Sequence, residues 1–347
     1  MSPFRASYLA IITLFLIMLA PMLTSCGAAS GNGQGGERRV KIGLVTDVGG
    51  LNDNGFNHLS YVALRKAILT LGVRGSVVES HGGDDYEPNL TEYAAQGYDL
   101  IIGVGFLMQQ AIGTVSAEFP NTHFAIVDGV PTDANGNTVQ RPNVASILFR
   151  EQEAGAIVGV IAGMLEKTGQ TKGKANTISA VGGISIPPVN RYIAGYQWGA
   201  KLEDPSIKML IGYSNDFSDP SKCAGVAKGQ MAAGADIVFS VAGGCGLGAL
   251  QAAGQRGFYS IGVDTDQKAT DASVIASAVK RVDVAVYTVI EDTGNAKFPA
   301  GQDYFGLTND GVGYAPGNLP LSPAIQSEVT KIEGKIKSGS ITVPDKL

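Results

Sequence analysis

Val40-Lys-Ile-Gly-Leu-Val45 runs into Thr46-Asp-Val-Gly-Gly-Leu-Asn-Asp-Asn-Gly-Phe-Asn57 and then into Leu59-Ser-Tyr-Val-Ala-Leu-Arg-Lys-Ala-Ile-Leu69. The first piece is a short apolar run that reads as a buried strand. The last carries apolar residues at helical spacing. The glycine-rich piece between them therefore lies at the carboxyl end of a strand, where open α/β sheets bind ligands. It offers Asp47, Asn52, Asp53 and Asn57 for hydrogen bonding and Phe56 for stacking, and it has no Lys or Arg. Such a loop is a poor phosphate cradle. It suits a neutral polar ligand with a flat part.

The same alternation continues along the chain. Strands are expected at 40–46, 74–80, 99–104, 123–128, 144–148, 177–182, 207–213, 236–241 and 258–263. Helices are expected at 55–71, 87–96, 107–118, 151–167, 190–203, 220–233 and 246–256. Strand and helix in turn imply parallel sheets built from right-handed crossovers. The pattern restarts near residue 150, which gives two similarly built halves. Segment 272–281 is read as a strand crossing back to the first lobe, with helix Asp283–Thr293 packing there. The tail from about Tyr304 is read as a return to the second. The expected lobes are 39–148 plus 276–302, and 149–275 plus 303–347.

The amino end reads as a processing segment. Arg5 precedes a mostly apolar stretch from Tyr8 to Leu23, a signal-peptide core in type. It is shorter than the ~20 apolar residues of a spanning helix. Leu23-Thr-Ser-Cys26 matches the bacterial lipoprotein pattern, which makes residues 1–25 the signal and Cys26 the lipid attachment site. Acyl burial would then hold the chain on the extracytoplasmic face of the cell membrane. Residues 26–38, rich in Gly, are read as a flexible linker. Of the 347 residues, about 310 remain, more than one core usually spans. The formal net charge of -5 with no basic tract argues against nucleic acid as a partner.

Asp47-x-Gly-Gly-x-x-Asp53-x-x-Phe56-Asn57 near the amino end of an exported chain resembles the basic membrane protein family. Its members are substrate-binding lipoproteins of ABC importers and include purine nucleoside receptors. Asn190-Arg-Tyr-Ile-Ala-Gly-Tyr-Gln-Trp-Gly-Ala200, Gly234-Ala-Asp-Ile-Val-Phe-Ser-Val-Ala-Gly-Gly244 and Gly262-Val-Asp-Thr-Asp-Gln267 are similar to its later blocks, in the same order. The resemblance implies an α/β, two-lobed type I periplasmic-binding-protein fold, each lobe a parallel sheet flanked by helices, with the ligand cleft between them. It implies a nucleoside ligand, permease partners, no cofactor and a monomer. A receptor for a sugar or another small polar solute, a nucleoside hydrolase and a sensor for a membrane kinase are the other readings.

Residue by residue, the resemblance makes Phe56 a stacking partner for a base, although a Phe at a helix start also serves as core. Asp47 and Asn57 carry over as cleft residues, and either is also a natural helix cap. Phe217, in the loop before the helix opening at Pro220, is the opposing aromatic of a sandwich, or else a hydrophobic staple. Gly243 and Gly244 would bring backbone N–H groups near a ligand. Asp264 is implied as the acceptor for ribose hydroxyls. Lys280 is either a ligand donor or a solvated charge. Asp128 ends a strand in the first half and either touches the ligand or supports its loop. Cys223 and Cys245 both depart from the family's usual residues, and a paired departure in an exported protein suggests a disulfide. His58, His81 and His123 are scattered, so no metal spacing and no nucleophile elbow emerge.

Overall fold

The computed structural model describes residues 39–173 and 175–347. The signal, the lipid site Cys26 and the linker lie outside these residues. Two six-stranded sheets carry the chain. The first contains β1 (Lys41–Val45), β2 (Arg74–Val78), β3 (Leu100–Val104), β4 (His123–Val127), β5 (Val144–Phe149) and the much later β11 (Gly301–Phe305), in the order β11-β5-β4-β3-β1-β2. Helices α1 (Phe56–Leu71), α2 (Tyr86–Ala95) and α3 (Gln109–Glu118) connect them. The chain then enters the second lobe through α4 (Glu151–Lys167).

The second lobe repeats the plan. It runs β6 (Thr177–Gly182), α5 (Pro187–Glu203), β7 (Lys208–Tyr213), α6 (Pro220–Ala232), β8 (Ile237–Val241), α7 (Gly243–Gln255), β9 (Tyr259–Asp264) and β10 (Val274–Lys280). The sheet order is β12-β10-β9-β8-β6-β7, position for position that of the first. After β10 the chain returns to the first lobe for α8 (Val282–Gly294), which packs on α1, and for β11 (Gly301–Phe305). It ends in the second lobe with β12 (Val312–Pro316) and α9 (Pro323–Lys337), which packs on α4.

This corrects two expectations. Residues 276–280 do not cross to the first lobe. They belong to β10, which pairs in parallel with β9 and antiparallel with β12 inside the second sheet. Its run Val274–Ala278 is buried throughout, as in a strand whose sheet is covered on both faces. The crossing comes at Arg281. Conversely, Asp303 and Tyr304 stay in the first lobe, paired with Ile147 and Leu148 of β5. β11 was hard to foresee because it is an exposed edge with polar residues, the usual guard of an open sheet edge. Helix α8 does pack on the first lobe as expected.

Three segments therefore join the lobes, and they touch one another. The Arg150 N–H donates to the Phe305 carbonyl at 2.8 Å, and the Arg281 N–H donates to the Gly311 carbonyl at 2.8 Å. Arg150 (φ -96°, ψ 64°) and Arg281 (φ -84°, ψ 57°) adopt nearly the same backbone at equivalent places, each between a strand and the helix in the other lobe.

The second lobe's largest helix pair is α4 against α5. Gly155, Gly159 and Gly163 recur every four residues on α4, and Gly195 and Gly199 do so on α5. A methyl at Gly159 would overlap the Tyr196 carbonyl, and one at Gly199 would overlap the Ala156 carbonyl. The backbones thus meet directly, and small residues at this spacing make that possible. Gly159→Ala should cost ~1–3 kcal/mol through overpacking. Gly225→Ala, on the open face of α6 with nothing within 4 Å of the added methyl, should instead stabilise by ~0.5–1 kcal/mol. Urea unfolding of the two variants measures the contrast.

Candidate functional site

The parallel strands of both sheets point their carboxyl ends at one cavity. Its walls alternate between lobes. Asp47, Phe56, Asn57, Phe106 and Asp128 come from the first, and Tyr192, Phe217, Gly243, Asp264 and Lys280 come from the second. Leu107, Ile186, Pro188, Val241 and Val263 make much of the remainder apolar. A mostly apolar cleft with a few convergent polar groups is the usual form of a small-molecule site.

The β1–α1 loop is held by its own side chains. Asp53, almost fully buried, accepts hydrogen bonds from the backbone N–H groups of Gly55, Asn57 and His58 at 3.0, 2.7 and 3.1 Å. From two residues ahead of the N-cap Gly55 it satisfies first-turn N–H groups of α1, a service expected of Asp47 or Asn57. Asn57 donates to Asp47 Oδ1 at 2.7 Å and to Asp53 Oδ2 at 3.2 Å, and its amide oxygen accepts from the Asp47 N–H at 3.2 Å. Both of its donors are thus engaged within the loop. Asp47 Oδ1 also accepts from the Gly49 N–H at 2.9 Å. The network fixes Phe56, the first helical residue, at the cavity wall.

The second wall is built around Phe217. Its ring lies against Gly183, where a side chain would collide with it, and its carbonyl accepts from the Cys245 N–H at 2.9 Å. Asp219 caps α6 by accepting from the Ser221 N–H at 2.9 Å, with Pro220 in the first helical position. Cys223 on α6 and Cys245 on α7 are joined in a disulfide with Cα atoms 5.5 Å apart. The crosslink ties together the two helix starts that frame the Phe217 loop. Gly243 lines the cavity, but Gly244 does not. It packs against Asp53 of the opposite lobe, because α7 turns that residue toward the mouth of the β1–α1 loop.

Asp128 and Asp264 occupy equivalent ends, after β4 and at the end of β9, which hold the same place in the two sheets. Both have left-handed backbones, with φ 66° and 64°, a conformation Asp tolerates better than most residues. Lys280 closes β10 and is 1% exposed. Its ammonium donates to Asp128 Oδ2 at 2.5 Å across the lobes and to Glu151 Oε1 at 3.0 Å. Glu151 in turn accepts from Arg191 Nε at 2.6 Å. The rings of Phe149 and Phe56 lie 4.8 and 5.0 Å from the ammonium, a distance at which aromatic faces attract cations. Lys280 is therefore no solvated charge.

Burial alone would depress the Lys280 ammonium. The carboxylates of Asp128, Glu151 and Asp264 outweigh it and hold the lysine above its ordinary value. For the acids the balance goes the other way. Burial pushes Asp264 up to about 7 despite the attraction of Lys280, and it pushes Asp128 and Asp47 up to about 6. Asp264 Oδ1 accepts from the Tyr192 hydroxyl at 3.3 Å, and Asp128 Oδ1 is buried with no protein partner. Acceptor oxygens thus face the cavity from both lobes. Among the described residues no cluster of three or more potential ligands could hold a metal, and no helix is long and apolar enough to cross a membrane.

Phe106, Tyr192 and Glu151 went unnoticed in the sequence. Tyr192 sits inside the quoted Asn190–Ala200 block, but a helical Tyr reads as core. Glu151 looks like an ordinary first-turn acid, and only the fold brings it to Lys280.

Residues 40–346 match the Bmp family, described as ABC transporter substrate-binding protein PnrA-like. The chain belongs to this family. As a Bmp protein it is a solute-binding component of an ABC transporter and not an enzyme. It is 31% identical over 363 residues to the ABC transporter nucleoside-binding protein BmpA of Lactococcus lactis, covering 97% of this chain and 99% of that one. It is 33% identical over 316 residues to an uncharacterised lipoprotein of Pyrococcus furiosus, covering 87% and 76%. A solute-binding protein of an Aeropyrum pernix ABC transporter superposes with a TM-score of 0.79 at 29% identity, over 88% of this chain and 94% of that one. The Lac repressor bound to ONPG shares the fold alone, with a TM-score of 0.59 at 17% identity over 82% and 83%. These likenesses agree with a type I periplasmic-binding-protein architecture for this Bmp chain.

The raised carboxyls carry a pH signature. An acid whose pKa rises on folding favours the folded state below its unfolded value, and that advantage is lost as pH climbs through the folded value. For Asp264 the window runs from 3.8 to about 7. Asp264→Asn, which cannot ionise, should flatten the fall in the melting temperature of the ligand-free protein across that window and raise it above neutrality. Melting curves at several pH values check this.

Proposed function

We propose that this protein captures a nucleoside, with a purine base favoured, outside the cytoplasm and presents it to the permease of its transporter. Lipid on Cys26 would hold it at the membrane face. The supporting observation is a cavity with Phe56 and Phe106 from the first lobe, Phe217 from the second, and acceptor carboxyl oxygens from both. A flat base fits between Phe56 and Phe217. Vicinal hydroxyls of a ribose donate to Asp264, and a base N–H donates to the unpartnered oxygen of Asp128. The carboxylates of Asp128, Glu151 and Asp264 act on Lys280, and those of Glu151 and Asp128 act on Arg191, so both cations are already engaged. A phosphate would meet repulsion here, so the free nucleoside is favoured over its nucleotide. A relative covering nearly the whole chain carries nucleoside binding in its name, and another is named a lipoprotein.

Calorimetry with inosine, guanosine, adenosine and their 5′-phosphates tests the reading. Nucleosides should bind and nucleotides should not. Asp264→Ala should weaken nucleoside binding by ~1–3 kcal/mol, the cost of an unpaired buried polar partner. Phe217→Ala should lose a similar ~1–3 kcal/mol of base stacking. Binding of a sugar with no response to any nucleoside would keep the receptor and overturn the ligand.

A further inference from the structure

Some polar contacts between the lobes line the cavity. The Lys280–Asp128 ion pair is one, and a ligand would share its surroundings. Gln267 is different. It lies in the turn after β9, is 4% exposed, and does not line the cavity; nor does its partner, Asn54. Its amide oxygen accepts from the Val263 N–H at 3.0 Å, and its own N–H donates to Ser277 Oγ at 3.0 Å. The side chain is therefore fixed within the second lobe. Its Nε2 then donates to the Asn54 carbonyl of the first lobe at 3.2 Å. The Val263 donor decides the amide orientation, because only the oxygen can face an N–H.

The receiving carbonyl is equally prepared. Asn54 has a left-handed backbone (φ 52°) and immediately precedes Gly55 and Phe56. A methyl on Gly55 would come within 3.3 Å of Asp264 Oδ2, so the two loops already approach closely here. At Gly262, a side chain would meet Gln267 Oε1 at 2.7 Å, which gives the glycine a reason to be there.

We propose that the Gln267 side-chain amide is a closure latch, a protein-to-protein hydrogen bond that favours the closed cleft whatever solute is inside and that seats the Phe56 loop against the second lobe. It rests on the two-lobed arrangement and not on the identity of the ligand. The latch gives the empty receptor a closed population and slows release of a bound solute.

Gln267→Glu separates the latch from local structure. The retained oxygen still accepts from Val263, while the second oxygen replaces a donor with an acceptor facing the Asn54 carbonyl. Gln267→Met, similar in length and without charge, serves as a second variant, and melting curves verify that both fold. Small-angle X-ray scattering of the ligand-free protein reads the ratio of open to closed forms. That ratio should rise by about three- to tenfold in both variants, the range expected for one hydrogen bond. Wild-type scattering that is entirely open, or folded variants whose scattering matches the wild type, would overturn the latch. Failure of inosine to bind the wild type would remove the nucleoside reading and leave this result standing.

Discussion

A buried ammonium sets the terms for this molecule. Lys280 sits at the end of β10 with almost no access to water, and an unpaired charge there would cost several kcal/mol. Its partners come from both lobes, Asp128 from the first and Glu151 from the second. Those acids are in turn brought to the same point by strand ends and by the entry into α4. The position of the lysine beside the crossing at Arg281 places this charge balance at the seam of the molecule. Any relative motion of the lobes must rearrange it. Binding and movement are thereby coupled through one group.

Around that group the molecule repeats itself. The passage from β5 through Arg150 into α4 matches the passage from β10 through Arg281 into α8, down to the backbone angles. Asp128 and Asp264 match as well. The two halves differ where the function needs them to differ. Phe149 ends β5 where Lys280 ends β10, so the apolar member of the pair packs against the charged one. The outer strands also differ, since β11 runs parallel to its neighbour and β12 antiparallel.

Much of this plan was legible in the sequence because parallel strands buried on both faces are continuous apolar runs, and β1, β3, β4, β5, β6, β8 and β9 stand out in that way, whereas the edge strands β2 and β7 are only partly buried. The cavity residues at strand ends were legible for the same reason, since a polar residue that closes an apolar run marks the rim of the sheet. The crossings were not. β10 looks the same whether it returns to one lobe or stays in the other, because burial constrains its composition and not its neighbour. β11 has a polar face and gives no periodic signal. Glu151 and Gln267 act through partners more than 120 and 200 residues away, and nothing local distinguishes them from a helix-start acid or a turn amide. The Phe56 loop offers ligand chemistry, yet three of its four named polar side chains, Asp47, Asp53 and Asn57, hold the loop itself.

The three crossings also set an order on folding during synthesis. The first lobe is not a continuous stretch of chain. It lacks α8 and its edge strand β11 until Phe305 has been made, by which point 42 of the 347 residues remain. Until then, the α1 face that α8 covers stays uncovered and β5 is an open edge. The second lobe waits longer still, for β12 and α9. A protein arranged in this way keeps a nascent chain incomplete until nearly the end, the condition in which a polypeptide is still able to thread through a narrow channel.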